Sequence, residues 1–410
     1  MPYVDLYSSD DYASIYYRTT SNYDNVGGFD PDKPTLMILH PLLLDSTWLD
    51  NQLGDPRLYL HYNIIAFDMR SMGQSNCKPS AKHDSWVDAA DLGLCCLRLH
   101  LPPCHILALE TISVNAALRF ALLFPEMCLS IALCSTPLSV EPRQAYTILE
   151  DLVQSWAFAE DLETLENAMS GVVKLLFGQN CDPDFIDLII AYWETTFPPS
   201  RRQCLIETVG VLLNRAPLEA EAYEQITQPV LIVQGERNES HPHKYSETFP
   251  KHLKNARNEP VLHPIKGAGS SFSIVPGSVS TANHALVKFL SRLPPSRSDI
   301  IPPNQSVYER MKQALDRLAF LVPGKENTWD LDPISPLSFS CLHGDVVKLQ
   351  LDCLDNANFK RLRAFDPLGP DGRPIQSPKL RDEHWLKSCE DGISVAEYAH
   401  SDGVCDVQNN

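Results

Sequence analysis

Six short runs of almost unbroken apolar character constrain this chain more than any other feature. They are PTLMILH (34–40), NIIAFDMR (63–70), HILALE (105–110), CLSIALCS (128–135), PVLIVQGE (229–236) and VLHPIKG (261–267). A strand covered on one face alternates polar and apolar residues, so a run without alternation requires cover on both faces. Helical patterns lie between the runs. HDSWVDAADLGLCCLRLHL (83–101) offers Asp84 or Ser85 as its N-cap and carries acidic residues in its early turns, where the helix dipole favours them. NAALRFALLF (115–124) is rich in Ala and Leu and stops before Pro125. Strands alternating with helices imply an α/β fold with a mostly parallel central sheet and helices on both faces.

One interval breaks the alternation. Residues 138–228 contain helical patterns such as YTILEDLVQSWAF, DFIDLIIAYWETTF and QCLIETVGVLLNRA, and no good strand. A helical insertion near the carboxyl ends of two sheet strands reads as a lid over a pocket, or as an extra helical layer with no gating role. After Leu290 the proline-rich stretch LPPSRSDIIPPNQ marks a break, followed by a helix candidate at 306–322. Two regions are therefore expected, 11–293 and an irregular C-terminal extension, 295–410, disordered at its end SDGVCDVQNN. The extension lacks a core of its own, so Leu321, Leu337, Phe339, Leu342 and Trp385 are expected to bury against the body.

Charge and cysteine usage exclude several functions. A net charge of −18 argues against nucleic acid, which requires a basic face. No apolar run approaches the roughly 18–20 residues that span a bilayer. The acidic N-terminus has no apolar signal core, so a cytoplasmic location is expected. The twelve cysteines show no pairing or zinc-like spacing with histidine, which fits reduced thiols and no bound metal. Two glycosylation sequons, at Asn238 and Asn304, are of a length that arises by chance.

Five segments, in this order, resemble the α/β-hydrolase fold. ILHPLLLDSTWL (38–49) resembles the loop supplying an oxyanion-hole amide, and FDMRSMGQS (67–75) the D-x-R-G-x-G-x-S segment, with Ser71 for its first glycine. HILALETISVNAALRFALLFPE (105–126) resembles the nucleophile elbow, VLIVQGERNESHP (230–242) the catalytic-acid loop, and HPIKGAGSSFS (263–273) the histidine loop. More loosely, the whole chain resembles hydrolase-like proteins of mushroom-forming fungi, a resemblance that implies small-molecule, secondary metabolism. Counting back fourteen from Pro125, as the family's helix length implies, places Thr111 at the nucleophile position. Its flanks are then Leu109 and Ser113, where the strained turn normally demands glycine. Shifting the frame makes Ser113 the nucleophile but moves it half a turn into the helix. The acid position holds Asn238 and the histidine position Ser270. A Thr, Asn, Ser set has no general base, and losing a triad member typically costs on the order of 10⁴–10⁶ in turnover.

Other groups are expected above the strand ends. The resemblance places His40 at the start of the oxyanion loop and the amides of Leu42 and Ile112 in the hole. Glu110, beside the elbow, could act as an acid or base if desolvated, or pair with a neighbouring cation. Glu141 sits where some members of the fold supply their acid. His241 and His243 could lend an imidazole or simply be exposed, and His263 reads as a structural strand residue. The sequence thus fits a cofactor-free enzyme of small molecules that uses the pocket and oxyanion hole without a standard triad. It also fits a non-catalytic small-molecule-binding pseudo-hydrolase, a protein-contact scaffold, or an ester hydrolase with a threonine nucleophile and a relocated base.

Overall fold

The computed structural model describes residues 2–137, 143–179, 181–238, 241–270, 272–325, 328, 330–359, 361–375, 387–389 and 392–394. A nine-stranded sheet runs through the body. Its strands are β1 (Tyr3–Tyr7), β2 (Tyr12–Thr19), β3 (Thr35–Leu39), β4 (Asn63–Phe67), β5 (Asn76–Cys77), β6 (Cys104–Leu109), β7 (Cys128–Cys134), β8 (Val230–Gly235) and β9 (Val261–Ile265). The order is β1-β2-β4-β3-β6-β7-β8-β9, with β5 paired to β2. From β4 to β9 all neighbours are parallel, whereas β1, β2 and β5 pair antiparallel. The carboxyl ends of the parallel strands therefore emerge on one edge, where ligands bind in open α/β sheets.

All six apolar runs are strands. Residues of β3, β4, β6 and β8 are buried throughout, as two-sided cover requires. The sixth run departs from expectation. β9 forms the sheet edge with its first residue exposed and only Ile265 buried, because no strand among the described residues lies beyond it. The N-terminal hairpin was not anticipated either. β1 alternates exposed and buried residues strictly, a period-2 signal too short to stand out among the surrounding tyrosines and acids.

Helices Ser85–Arg98 and Thr111–Leu123 pack against each other on the sheet, and Asp84 is the N-cap of the first, accepting from the amides of Trp86 and Val87. Between β7 and β8 stand four long helices, Arg143–Ala157, Leu162–Phe177, Pro183–Thr196 and Arg202–Leu213. Trp156 and Trp193 form their buried aromatic centre, with ring centroids 4.9 Å apart.

Beyond the sheet, helix Val307–Leu321 opens with a capping box at Ser306 and Glu309, and buries Met311, Ala314, Leu315 and Leu318. It packs on helices Ser85–Arg98 and Thr111–Leu123, and Arg317 donates to the Leu123 carbonyl at 2.9 Å. Leu337 and Phe339 are buried, Leu321 and Leu342 only partly, and Trp385 and the chain's last ten residues lie outside the described residues. A second long helix, Gly344–Asn358, lies against lid helix Arg202–Leu213 and was missed in a segment dominated by turn residues. Since these apolar faces are covered by the body, a fragment of residues 295–410 is expected to show no cooperative thermal transition by circular dichroism. A sharp transition would make the extension an independent domain.

Candidate functional site

β6 ends at Leu109, helix Thr111–Leu123 begins two residues later, and Glu110 makes the turn between them with φ 64° and ψ 165°. That region is nearly reserved for glycine, and a side chain there costs about 1–3 kcal/mol. Neighbouring bonds hold it. The Glu110 amide donates to the Cys134 carbonyl at 3.1 Å. The buried Ser113 hydroxyl lies 2.6 Å from the His40 carbonyl, 3.1 Å from that of Leu109 and 3.0 Å from that of Glu110. In a hydrolase elbow the reacting side chain stands at the apex of the strained turn. Here the apex is Glu110, so the count back from Pro125 stops one residue short and Thr111 is the first residue of the helix. The flanking positions become Ala108 and Ile112 in place of Leu109 and Ser113. A small residue on the strand side is what such a turn tolerates. The amide following the apex is that of Thr111, not Ile112, and amides in a helix's first turn have no intrahelical acceptor.

The Glu110 side chain is buried, and its Oε1 has no hydrogen-bond partner among the described residues. Burial pushes its pKa up to about 8, and the Ser273 hydroxyl and amide draw it only partly back. No charged group contributes to the shift, so the expected partner cation is not found among the described residues. Ser273 lies three residues beyond Ser270 and closes the HPIKGAGSSFS segment, but no triad position falls on it.

Both imidazole nitrogens of buried His40 are engaged by backbone. Nδ1 donates to the Pro41 carbonyl at 2.9 Å and Nε2 accepts from the Met69 amide at 2.9 Å, which requires the neutral ring. Burial lowers its pKa accordingly. The turn that follows, Pro41 to Leu44, is closed by the Leu44 amide on the Pro41 carbonyl at 3.3 Å, with Leu43 at φ 59°. From lid helix Pro183–Thr196, the Trp193 indole donates to the Leu43 carbonyl at 2.8 Å. The Leu42 amide is thus carried on a turn fastened from below by His40 and from above by Trp193. Asp68 joins this turn to the next loop, accepting from the amides of Ser46 and Gln74, both at 2.8 Å. Burial, then the neighbouring Asp45, push its pKa up to about 7. Gly73 (φ +53°) packs so closely on Asp68 and Asp45 that a Cβ would overlap them, which accounts for the glycine in FDMRSMGQS.

The acid and histidine positions meet each other. Ser270 donates to Asn238 Oδ1 at 3.0 Å, the His241 amide donates to the same oxygen at 2.8 Å, and Asn238 Nδ2 donates to Ser135 Oγ at 3.1 Å. His241 is buried, not exposed, and burial with nearby Arg215 pulls its pKa down to about 4. His243 is part-exposed beside Glu247 at 3.3 Å, and His263 lies on β9. Glu141 lies outside the described residues.

No family model matches the sequence, and no curated protein matches it. Solved structures do. A thermophilic esterase from Thermogutta terrifontis, determined with malate bound, superposes with a TM-score of 0.55 at 15% identity over 71% of this chain and 99% of its own. The chain has the α/β-hydrolase fold. An enol-lactonase from Burkholderia xenovorans LB400 (TM-score 0.55, 14% identity) covers 71% of this chain and 100% of its own. A putative aryl esterase from Burkholderia cenocepacia (0.54, 16%) covers 71% and 98%. At such identities the likeness is one of fold. Among the described residues no helix is long and apolar enough to cross a membrane.

This α/β-hydrolase fold fastens its lid with buried charge. His83 lies 2.8 Å from Asp88 and 3.2 Å from Glu207 of lid helix Arg202–Leu213. Ser71, in the left-handed region at φ 63° where the family pattern has glycine, donates to Glu207, and the Ser80 amide does so at 2.9 Å. Burial alone would lower the His83 pKa, but the two carboxylates raise it to about 10.

Proposed function

We propose that the protein is a cofactor-free enzyme of small-molecule metabolism in which Glu110, at the elbow, moves a proton while oxyanion-hole amides hold the substrate's carbonyl oxygen. The observation that carries this reading is the buried Glu110 carboxyl at the strained apex, with its pKa near 8 and Oε1 unpartnered. A base whose pKa lies close to working pH both accepts and returns a proton efficiently. In this scheme Oε1 takes a proton from the carbon next to the carbonyl, and the electron pair left behind moves onto the carbonyl oxygen. Charge develops there against the Leu42 and Thr111 amides, Thr111 replacing Ile112 as the second donor. Asn238 and Ser270 are then a degenerate acid and histidine pair, retained for the bonds they make to each other. His40 is a positioning residue for the oxyanion turn. The resemblance to hydrolase-like proteins of mushroom-forming fungi would place this chemistry in fungal secondary metabolism, in the cytoplasm.

Incubation with enolisable ketones and esters in deuterated buffer, followed by NMR, reads the proposed step without knowledge of the natural product. Deuterium should enter at the carbon next to the carbonyl, and a fluorophosphonate probe should leave no covalent adduct in the intact mass. Thr111→Ala should change exchange by no more than about five-fold, the worth of one hydrogen bond. A fluorophosphonate adduct, lost in Thr111→Ala, would restore the reading of a threonine nucleophile with a relocated base. The closed environment of Oε1 also suits a second reading, a non-catalytic binding protein whose protonated Glu110 donates to a ligand. Saturable binding without exchange would select it.

A further inference from the structure

A concave site lies at the stem of the lid. Its cavity, about 260 Å³, is lined by Pro137, where the chain leaves β7 for the lid, and by Pro217 and Leu218, where it returns. The other walls are aromatic: Tyr223 of helix Ala220–Glu224, Tyr245 of helix His243–Thr248, and Phe249 and His252 of the turn that follows. Glu110 and the residues bonded around it are not part of the lining. The Tyr223 and Phe249 rings stand at 87° with centroids 5.4 Å apart, and the His252 ring lies 5.9 Å from Tyr223 at 43°. Bonds just beyond the turn hold this arrangement. Asn255 Nδ2 donates to the Glu224 carbonyl at 2.9 Å, and the Arg257 amide donates to the Thr227 carbonyl at 2.9 Å. Helix Ala220–Glu224 is thereby fixed against the turn Phe249–His252 on which it packs.

Two perpendicular rings form a corner that a flat ring fills with its face on one and its edge on the other, the contacts aromatic pairs prefer. The polar groups at that corner are not in use. Among the described residues no hydrogen bond engages the Tyr223 hydroxyl or the His252 ring, so both can serve a ligand. The lining also decides the ligand's charge. Among the described residues no Asp, Glu, Lys or Arg side chain lines the cavity, so an ionised group would lose water there without gaining a partner. A cation meets a further obstacle, because Lys244 Nζ already lies 5.0 Å from the Tyr245 ring centre. The volume falls below the roughly 300–1,000 Å³ of pockets for drug-sized ligands, which leaves room for one ring or two fused rings. We propose that the lid stem binds a neutral aromatic molecule of the phenol or indole class. Its ring occupies the corner of Tyr223 and Phe249, and its O–H or N–H is directed to the Tyr223 hydroxyl or the His252 ring. Such a ligand touches both ends of the lid insertion and the helix after β8 at once, and its binding does not depend on the reaction proposed at Glu110.

The test is isothermal titration of the full-length protein at pH 7.5 with phenol and indole, beside cyclohexanol, benzoate and benzylamine. Saturable one-to-one binding of phenol or indole is expected. Cyclohexanol has the size and hydroxyl of phenol but no aromatic face, and should bind at least about five-fold more weakly. Benzoate and benzylammonium, both charged, should be weaker than phenol by at least about ten-fold. Thr248→Trp, at an exposed position whose hydroxyl bonds only within its own helix, fills the cavity and should weaken phenol binding at least about ten-fold. Tyr223→Leu removes one wall of the corner and should weaken it by a similar factor. If Tyr223→Leu does not fold, Thr248→Trp decides alone, its fold checked by an unchanged circular dichroism spectrum. Phenol that binds Thr248→Trp as tightly as the parent would sit elsewhere, over Glu110 for instance, and would overturn the proposal. So would no saturable binding, equal binding of cyclohexanol, or tighter binding of either ion.

Discussion

Glu110→Gln is expected to lower carbon-bound proton exchange by about 10²–10⁴, the usual worth of a positioned acid or base, while making the protein more stable above neutral pH. The two effects share one cause. The folded protein holds the Glu110 pKa at about 8 because burial penalises the charged form. In the unfolded chain the carboxyl ionises near its ordinary value of about 4.3. Between those values the native state binds the proton and the unfolded state does not, so stability falls as pH rises from about 4.3 to 8 and then levels. Glutamine has no charge to lose and escapes this fall. The gain should be on the order of 2–4 kcal/mol at pH 8.5 and close to zero at pH 4. Activity in the parent protein should run the other way, rising with the carboxylate fraction to a plateau above about pH 8. Urea unfolding of both proteins at the two pH values, with exchange rates beside them, measures all of this. A glutamine variant that is less stable at pH 8.5, or that exchanges as fast as the parent, would remove Glu110 from the mechanism.

The distinction between Glu110 and Thr111 shows where the sequence stops being informative. Strand β6, its helix and the terminating Pro125 are all legible, because apolar runs and helix stops are local signals. The apex of the turn is not, since one residue's φ depends on how the helix seats against β7 and the His40 loop through Ser113. A length count therefore carries an error of one residue, enough to exchange a hydroxyl for a carboxyl. Asn238 and Ser270 were placed opposite each other by motif order alone, and they do bond. Ser273, Trp193 and Glu207 were invisible. Each acts through a contact with a residue far along the chain, and a lone serine, tryptophan or glutamate in a helical or loop pattern has no spacing to announce it. His241 was misjudged for a related reason. Loop position suggests exposure, but Asn238 and Gln234 hold its backbone inward.

Arg70→Met should cause a large loss of stability, on the order of 3–5 kcal/mol at pH 7.5. Arg70 follows β4 in the loop that Asp68 ties to the oxyanion turn, and its side chain is fully buried. One guanidinium edge takes Asp11 at 3.0 and 2.7 Å, and the other takes Asp91 of helix Ser85–Arg98 at 2.8 and 2.9 Å. The arginine thus joins the N-terminal hairpin, the sheet edge and a helix through four charge-assisted bonds. Removing it leaves two buried carboxylates near one another without a cation. Burial already raises the Asp91 pKa while Arg70 lowers it, so losing Arg70 moves that pKa further upward. A raised carboxyl pKa stabilises the folded state least where the unfolded chain is ionised. The deficit of Arg70→Met should therefore be largest at neutral pH and shrink as pH falls and Asp91 takes up a proton. Replacing all three charges, Arg70→Met with Asp11→Leu and Asp91→Leu, should recover much of the loss, because apolar groups of similar size avoid the desolvation penalty. Urea midpoints at pH 7.5 and 5 for the single and triple variants separate these effects. A single-variant loss below about 1 kcal/mol, or one independent of pH, would show that the buried ion triad contributes little and that packing alone joins hairpin, sheet and helix.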